Sequence, residues 1–271
     1  MTHFNPNTPW RRISTAIYSK PLDGRIFGTV ELDVTELEDW VSRQRQEGLK
    51  ITLMYPLLLL AARALRHDVP ELNCYVSRGR ILHRPAVDII VSVLMKKDNQ
   101  MGTLRLRNAD RMTIPKMAEW MNTNLQDHRQ EDQEGAAKQK VWLDRLGWPL
   151  RNLVIRLWQK VVIDWGIRIP FTRMGPDAFG SIIFSNIGSI GLDVGYPALL
   201  PVSNVSMVLV MGSVQTKPAV VGDQIMPRRI LNLSATLDHR LVDAYACGKL
   251  FRSLKKGINR PDALMADHPA A

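Results

Sequence analysis

Alternating apolar and polar residues predict strands near both ends of the chain. Val30, Leu32 and Val34 alternate with acidic residues, which is the period of a half-buried strand. Near the other end, the apolar residues of RILNLSATLDH alternate with asparagine, serine and threonine. This segment therefore predicts a strand that ends at Asp238 and His239. Three further apolar segments predict strands at residues 87–95, 181–184 and 205–211.

Helices are predicted between these strands. Thr35 and Glu38 stand at capping-box spacing, so a helix should begin directly after the first strand. The apolar segment 53–62 is too short to span a bilayer and predicts a buried helix. Residues 113–125 have amphipathic spacing, and a last helix should begin near Asp243.

The order of these elements predicts a single α/β domain over residues 1–271. Strands and helices interleave from both ends toward the middle, which favours one largely buried sheet over two separate domains. Residues 129–175 differ from this pattern, since they begin with a polar stretch and then carry four of the seven tryptophans. They predict an inserted helical segment.

Charge and cysteine content narrow the choice of partners and compartment. The net charge of +10 suits a polyanionic cofactor, an anionic membrane or nucleic acid. No zinc-finger spacing, RNP-like motif or Walker-type loop is present, so nucleic-acid binding is not predicted. Cys74 and Cys247 match neither a disulfide framework nor a metal site. With no signal-peptide pattern in the first residues, we expect a cytoplasmic protein, and peripheral association with a membrane is the alternative.

The segment DHRLVDA carries the first candidate for chemistry. It places His239 at a strand end and Asp243 four residues later, at a helix start. Histidine is the usual general base near neutral pH, and Asp243 is a candidate orienting residue that would pair with an arginine. The alternative is that Asp243 is only an N-cap.

A second candidate lies in FSNIGSIG at residues 184–191. Ser185 ends a predicted strand, and the glycines that follow permit a tight turn. A hydroxyl held there can donate a hydrogen bond to a developing oxyanion, a contact worth about 3 kcal/mol in the transition state. The alternative is an ordinary Ser-Asn turn.

Together these segments resemble the catalytic domain of the 2-oxo acid dehydrogenase acyltransferases, in the chloramphenicol acetyltransferase-like superfamily. That family combines a Ser-Asn-x-Gly turn with a later Asp-His-Arg-x-x-Asp-Gly motif, and Ser185 here precedes His239 by 54 residues. The segments TVELDVTELEDW, LLLLAARAL, RPAVDIIVSV, LRNADRMTIPKMAE and FRSLKKGINRPDAL are also similar and stand in the same order.

The resemblance implies a two-layer α/β sandwich, with a mixed sheet covered by helices, and a homotrimer. It implies that His239 is the general base, that Ser185 is the oxyanion donor from the facing subunit and that Asp243 orients the site. Coenzyme A would be the acyl carrier and co-substrate, and a thiol, hydroxyl or amine would be the acceptor. No metal is implied, and the residues that bind coenzyme A are not identified by the resemblance.

The sequence departs from the family pattern at two points. Ala244 stands where the family has glycine, and no Asp-Lys-Ala lipoylation sequence is present, so we expect no lipoyl group on this chain. The leading hypothesis is a stand-alone acyltransferase. The alternative is a catalytically inactive scaffold or interaction subunit of the same fold.

The insertion suggests a further role. Five apolar residues fall on one helical stripe, and tryptophans and arginines accompany them. The stripe is formed by Leu146, Leu150, Leu153, Leu157 and Val161. Apolar stripes usually pack against protein, which makes assembly of the trimer one explanation. The mixture of aromatic and basic residues over residues 139–170 also suits a helix that lies on a membrane or covers a lipid-like substrate.

Overall fold

The fold was determined from a computed structural model, which describes Pro9 and residues 24–95, 100–131, 145–168 and 175–266. The strands are β1 (Arg25–Asp33), β2 (Cys74–Ser77), β3 (Arg80–His83), β4 (Ile89–Met95), β5 (Gln100–Leu106), β6 (Ile182–Asn186), β7 (Met207–Val221) and β8 (Gln224–Asp238). The helices are α1 (Thr35–Gln46), α2 (Met54–His67), α3 (Ile114–Glu131), α4 (Leu150–Trp158) and α5 (Ala244–Ile258).

Six strands form one mixed sheet in the order β1-β8-β7-β6-β4-β5. The neighbours of β6 run parallel to it, and the remaining pairs are antiparallel. The strands β2 and β3 form a separate hairpin. The predicted strands are therefore present, and β7 and β8 are extended into a long hairpin.

The main core fills the space between one face of the sheet and the helices. Helix α2 is buried around most of its circumference, as its apolar sequence predicts, and packs against α5. Leu57, Leu58 and Phe184 are fully buried there. Burial of an aliphatic or aromatic side chain contributes about 1.5–3 kcal/mol, so this layer fixes the sheet and its strand ends. The predicted mixed sheet covered by helices is confirmed.

The predicted capping box at Thr35 is wrong, although a helix does follow the strand directly. Thr35 is the first helical residue, and its hydroxyl donates to Asp33 at 2.7 Å. Glu38 accepts a hydrogen bond from Arg229 at 2.7 Å instead of closing the box. The partner of Glu38 therefore comes from β8, which is distant in sequence, and not from the start of its own helix.

The second face of the sheet carries a smaller apolar cluster of Val205, Val208 and Val210, and Phe179 links it to a further cluster that includes the described part of the insertion. Helix α4 buries Ile155 against Val202, and a π-helical turn at Gln159–Asp164 continues it. The predicted helix is present, but three members of its predicted stripe, Leu150, Leu153 and Leu157, are more than half exposed. Trp142 lies outside the described residues.

Candidate active site

His239 lies immediately after β8, where two backbone contacts fix its position. Its N–H donates to the carbonyl oxygen of Gly24, which extends the pairing of β8 with β1 by one residue. Its ring Nδ1 lies 2.9 Å from the carbonyl oxygen of Val242. Because a carbonyl only accepts hydrogen bonds, this contact requires the proton on Nδ1 in the neutral ring. Nε2 then keeps its lone pair, and the side chain is exposed.

The residues on either side of His239 form an ion pair. The guanidinium of Arg240 donates to both carboxylate oxygens of Asp238, at distances of 2.6–3.0 Å. The Asp238 side chain is buried, and these hydrogen bonds raise the pKa of Arg240 against the effect of burial. The ion pair thus joins the side chains of the two residues that flank His239 in the chain. Sequence analysis did not select these two residues, although their opposite charges two positions apart were a usable signal.

Asp243 caps helix α5. Its Oδ1 accepts from the backbone N–H of Tyr245 at 3.0 Å and of Ala246 at 3.3 Å. The structure thus shows the N-cap that was the alternative interpretation, while Asp238 forms the arginine pair that was expected of Asp243. Ala244 is exposed at the first helical position, so its methyl group causes no crowding within one chain.

Ser185 lies near the carboxyl end of β6, before a tight turn. Side chains alternate along this strand: Phe184 points into the main core, and Ile183 packs in the cluster on the second face. Ser185 therefore belongs to the second face. Asn186 accepts hydrogen bonds from Ser189 through its backbone and side-chain oxygens, which shapes the turn that follows.

One chain does not bring Ser185 and His239 together. Across β7, Ser185 is in register with Val210, and Val210 is in register with Ser234. His239 lies five residues beyond Ser234, next to the amino end of β7. At about 3.3 Å per residue and 4.8 Å per strand, the two side chains are separated by roughly 15 Å along the strands and 10 Å across them.

An open cleft of about 500 Å³ runs beside His239. Its walls come from residues 239–243, Tyr245 and Glu71. The insertion contacts the β2–β3 hairpin, which follows Glu71 in the chain, because the backbone N–H of Arg78 donates to the carbonyl oxygen of Asp164 at 2.8 Å. Arg78 of the β2–β3 hairpin also donates to the carbonyl oxygen of Trp165, so the hairpin supports the insertion there.

Comparison with known proteins shows which family part of the chain resembles. Residues 178–266 match the family model described as the 2-oxoacid dehydrogenases acyltransferase (catalytic domain). The chain is therefore a relative of the 2-oxo acid dehydrogenase acyltransferases. A curated relative is the dihydrolipoyllysine-residue succinyltransferase component of 2-oxoglutarate dehydrogenase complex 1 of Arabidopsis thaliana, 24% identical over 88% of this chain and 43% of the relative. The chain spans less than half the length of that relative.

Solved structures show that the fold is shared beyond the matched segment. A dihydrolipoamide acetyltransferase of Azotobacter vinelandii has a TM-score of 0.63 and 18% identity, covering 89% of this chain and 84% of the other. That structure was described in a study of a serine, a histidine and an asparagine in the catalytic mechanism. A chloramphenicol acetyltransferase covers 93% and 96% of the two chains, with a TM-score of 0.50 and 13% identity. The predicted fold is confirmed, and so is the predicted resemblance to this family.

Proposed function

We propose that this protein is an acyltransferase that moves an acyl group between coenzyme A and a thiol, hydroxyl or amine acceptor. The observation that carries the proposal is the contact of His239 Nδ1 with the Val242 carbonyl. It sets the tautomer and leaves a basic Nε2 at an exposed position beside a cleft. Such a nitrogen is suited to accept a proton from an acceptor that enters the cleft.

The reaction needs a base and an anion stabiliser. His239 Nε2 removes the proton from the acceptor, whose sulfur, oxygen or nitrogen attacks the thioester carbonyl carbon. The bond from acceptor to acyl group forms, the carbon–sulfur bond breaks, and the proton passes from His239 to the departing thiolate. Ser185 donates a hydrogen bond to the carbonyl oxygen while that oxygen carries negative charge.

The separation of Ser185 from His239 supports a site shared by two subunits. The exposed apolar side chains of the loop after Ser185 support it as well, because large apolar patches on a soluble protein usually mark interaction sites. These side chains belong to Ile190, Leu192, Val194 and Tyr196. We infer a homotrimer in which Ser185 of one subunit faces His239 of the next. In the Azotobacter enzyme, the asparagine follows the histidine at the spacing of Asp243 and His239.

Coenzyme A fits the charge of the protein. The chain carries a net charge of +10, and Arg240, more than half exposed, adjoins the base. A guanidinium suits phosphate binding, although no residue is assigned to the coenzyme. Bound coenzyme A supplies the thioester. The names of the relatives point to lipoyllysine as one acceptor.

Subunit complementation tests the shared site. His239→Ala and Ser185→Ala homo-oligomers should each lose at least about 100-fold in acyl transfer. Mixed trimers, formed by verified subunit exchange, should regain activity at interfaces that combine the intact Ser185 of one subunit with the intact His239 of the other. Transfer from acetyl- and longer acyl-coenzyme A to dihydrolipoamide and small amines is followed by thiol release, and light scattering gives the mass.

The outcomes distinguish an active acyltransferase from a catalytically inactive scaffold of the same fold. Full activity in His239→Ala would remove the histidine from the mechanism. A monomer, or no recovery after exchange, would reject the shared site. If the wild type forms a trimer and transfers no acyl group from any donor, the scaffold alternative holds and the acyltransferase proposal is wrong.

A further inference from the structure

Helix α4 presents an apolar face that the rest of the described chain leaves uncovered. Its opposite side is seated on the protein through Ile155, which packs with Val202. On the outward side, Leu150, Leu153 and Leu157 are 57%, 63% and 58% exposed. Trp148, just before the helix, is 78% exposed. Large apolar side chains gathered at one place on a surface mark an interaction site.

The charges around this face have one sign. Residues 145–163 contain no acidic residue, and their exposed basic residues are Arg145, Arg156 and Lys160, while Arg151 is buried. At 100° per residue, Arg156 lies beside the exposed leucines on the helix surface, and Lys160 follows in the π-helical turn. Both side chains are exposed. An apolar strip with cations at its edge and tryptophan at its end is the pattern of a helix lying in a membrane interface.

The dimensions fit a position in the plane of a membrane. Helix α4 has nine residues, and no helix in the described ranges is long and apolar enough to cross a bilayer. Anionic headgroups attract the exposed basic residues beside this face, Arg156 and Lys160. We propose that the surface formed by Trp148, Leu150, Leu153 and Leu157 docks on an anionic membrane.

The position of this surface gives the docking a consequence for the site. The π-helical turn after α4 ends at Asp164, whose carbonyl oxygen accepts a hydrogen bond from the backbone N–H of Arg78 in the β2–β3 hairpin. Glu71, three residues before that hairpin, lines the His239 cleft. The docked insertion thus places the His239 cleft near the lipid surface, where membrane-associated acceptors are available. The docking itself does not depend on acyl transfer, so the two proposals fail separately.

A pair of variants that introduces negative charge tests the surface. The double variant Leu153→Glu/Leu157→Glu changes two exposed side chains, so the fold should be retained. The matched control is Val220→Glu/Ile225→Glu, which adds the same charge at two exposed, paired positions of the β7–β8 hairpin. Each full-length protein is sedimented with phosphatidylglycerol–phosphatidylcholine vesicles and with phosphatidylcholine vesicles, at low and high salt. Light scattering without lipid gives the oligomer mass.

We expect the wild type and the control to bind anionic vesicles at low salt, with binding reduced by high salt and absent on neutral vesicles. The Leu153→Glu/Leu157→Glu variant should bind at least 10-fold more weakly, with an unchanged mass and unchanged transfer to a soluble acceptor. Wild-type protein that stays in the supernatant at both salt concentrations would overturn the proposal. So would a variant of lower mass, since the face would then be a contact between subunits, or a variant that still binds.

Discussion

Ser185 and His239 lie at opposite ends of the same sheet, with β7 between the strands that carry them. The base and the oxyanion donor of one chain therefore act in different sites if the protein assembles as proposed. Substitutions that disturb the residues holding either Ser185 or His239 in place should therefore weaken acyl transfer, even though the two regions do not contact each other within one chain.

Asp243 is expected to act through its helix cap. Asp243→Ala should lower stability by about 1 kcal/mol, because two N–H groups at the start of α5 lose their acceptor. Asp243→Asn should keep the cap and most of the activity. Thermal unfolding and initial rates measure both effects. If the two variants are equally destabilised, the cap is not what Asp243 contributes.

Arg240 is expected to stabilise the turn that holds His239. Arg240→Ala leaves the buried Asp238 carboxylate without its guanidinium partner and should lower the free energy of unfolding by about 1–3 kcal/mol. Arg240→Lys should recover only part of this, since lysine cannot form the forked contact. Denaturant unfolding of the three proteins gives the order. Equal stability of Arg240→Ala and the wild type would show that the ion pair is not needed.

Gly188 is required by the close approach of the Ser185 turn to β7. A Cβ atom at this position would lie 2.5 Å from the carbonyl oxygen of Gly212, and a backbone atom cannot move aside cheaply. Gly188→Ala should destabilise the protein by about 1–3 kcal/mol and reduce acyl transfer. Gly147→Ala is the matched control, because its Cβ would meet no atom within 4 Å. Unchanged transfer in Gly188→Ala would contradict this account of the turn.

Cys247 should make the protein sensitive to alkaline pH. Burial raises the pKa of its thiol to about 11, above the ordinary value of 9.0. The folded state therefore holds the proton more tightly than the unfolded state, and this stabilisation is complete below pH 9. It is lost as the pH rises from about 9 toward about 11.

Chemical denaturation across that pH range, with Cys247→Ala as the reference, measures this loss. The wild type should lose stability relative to the variant only above pH 9. Thiol labelling at pH 8 should also require unfolding. Identical pH profiles for the two proteins would show that the buried thiol does not contribute.

The sequence by itself determined the main strands and helices and the candidate residues, but not the β2–β3 hairpin or β5. Alternation predicted β8 up to Asp238, because the backbone of a strand sets the side-chain period locally. The fold of a sheet covered by helices was implied by the resemblance that the collinear motifs carry. The same patterns placed Ser185 and His239 at strand ends. Asp243 was open to two interpretations, an orienting residue and an N-cap, because either role can be filled by an aspartate at the start of a helix.

Only the tertiary structure decided what lies next to what. Strand order and register separate Ser185 from His239. Neither the strand order nor the register can be read from a local sequence pattern. Glu38 pairs with Arg229 on a distant strand instead of capping its own helix. The amphipathic pattern of α4 identified an apolar stripe but not its surroundings, since periodicity shows which residues share a face and packing decides whether protein covers it.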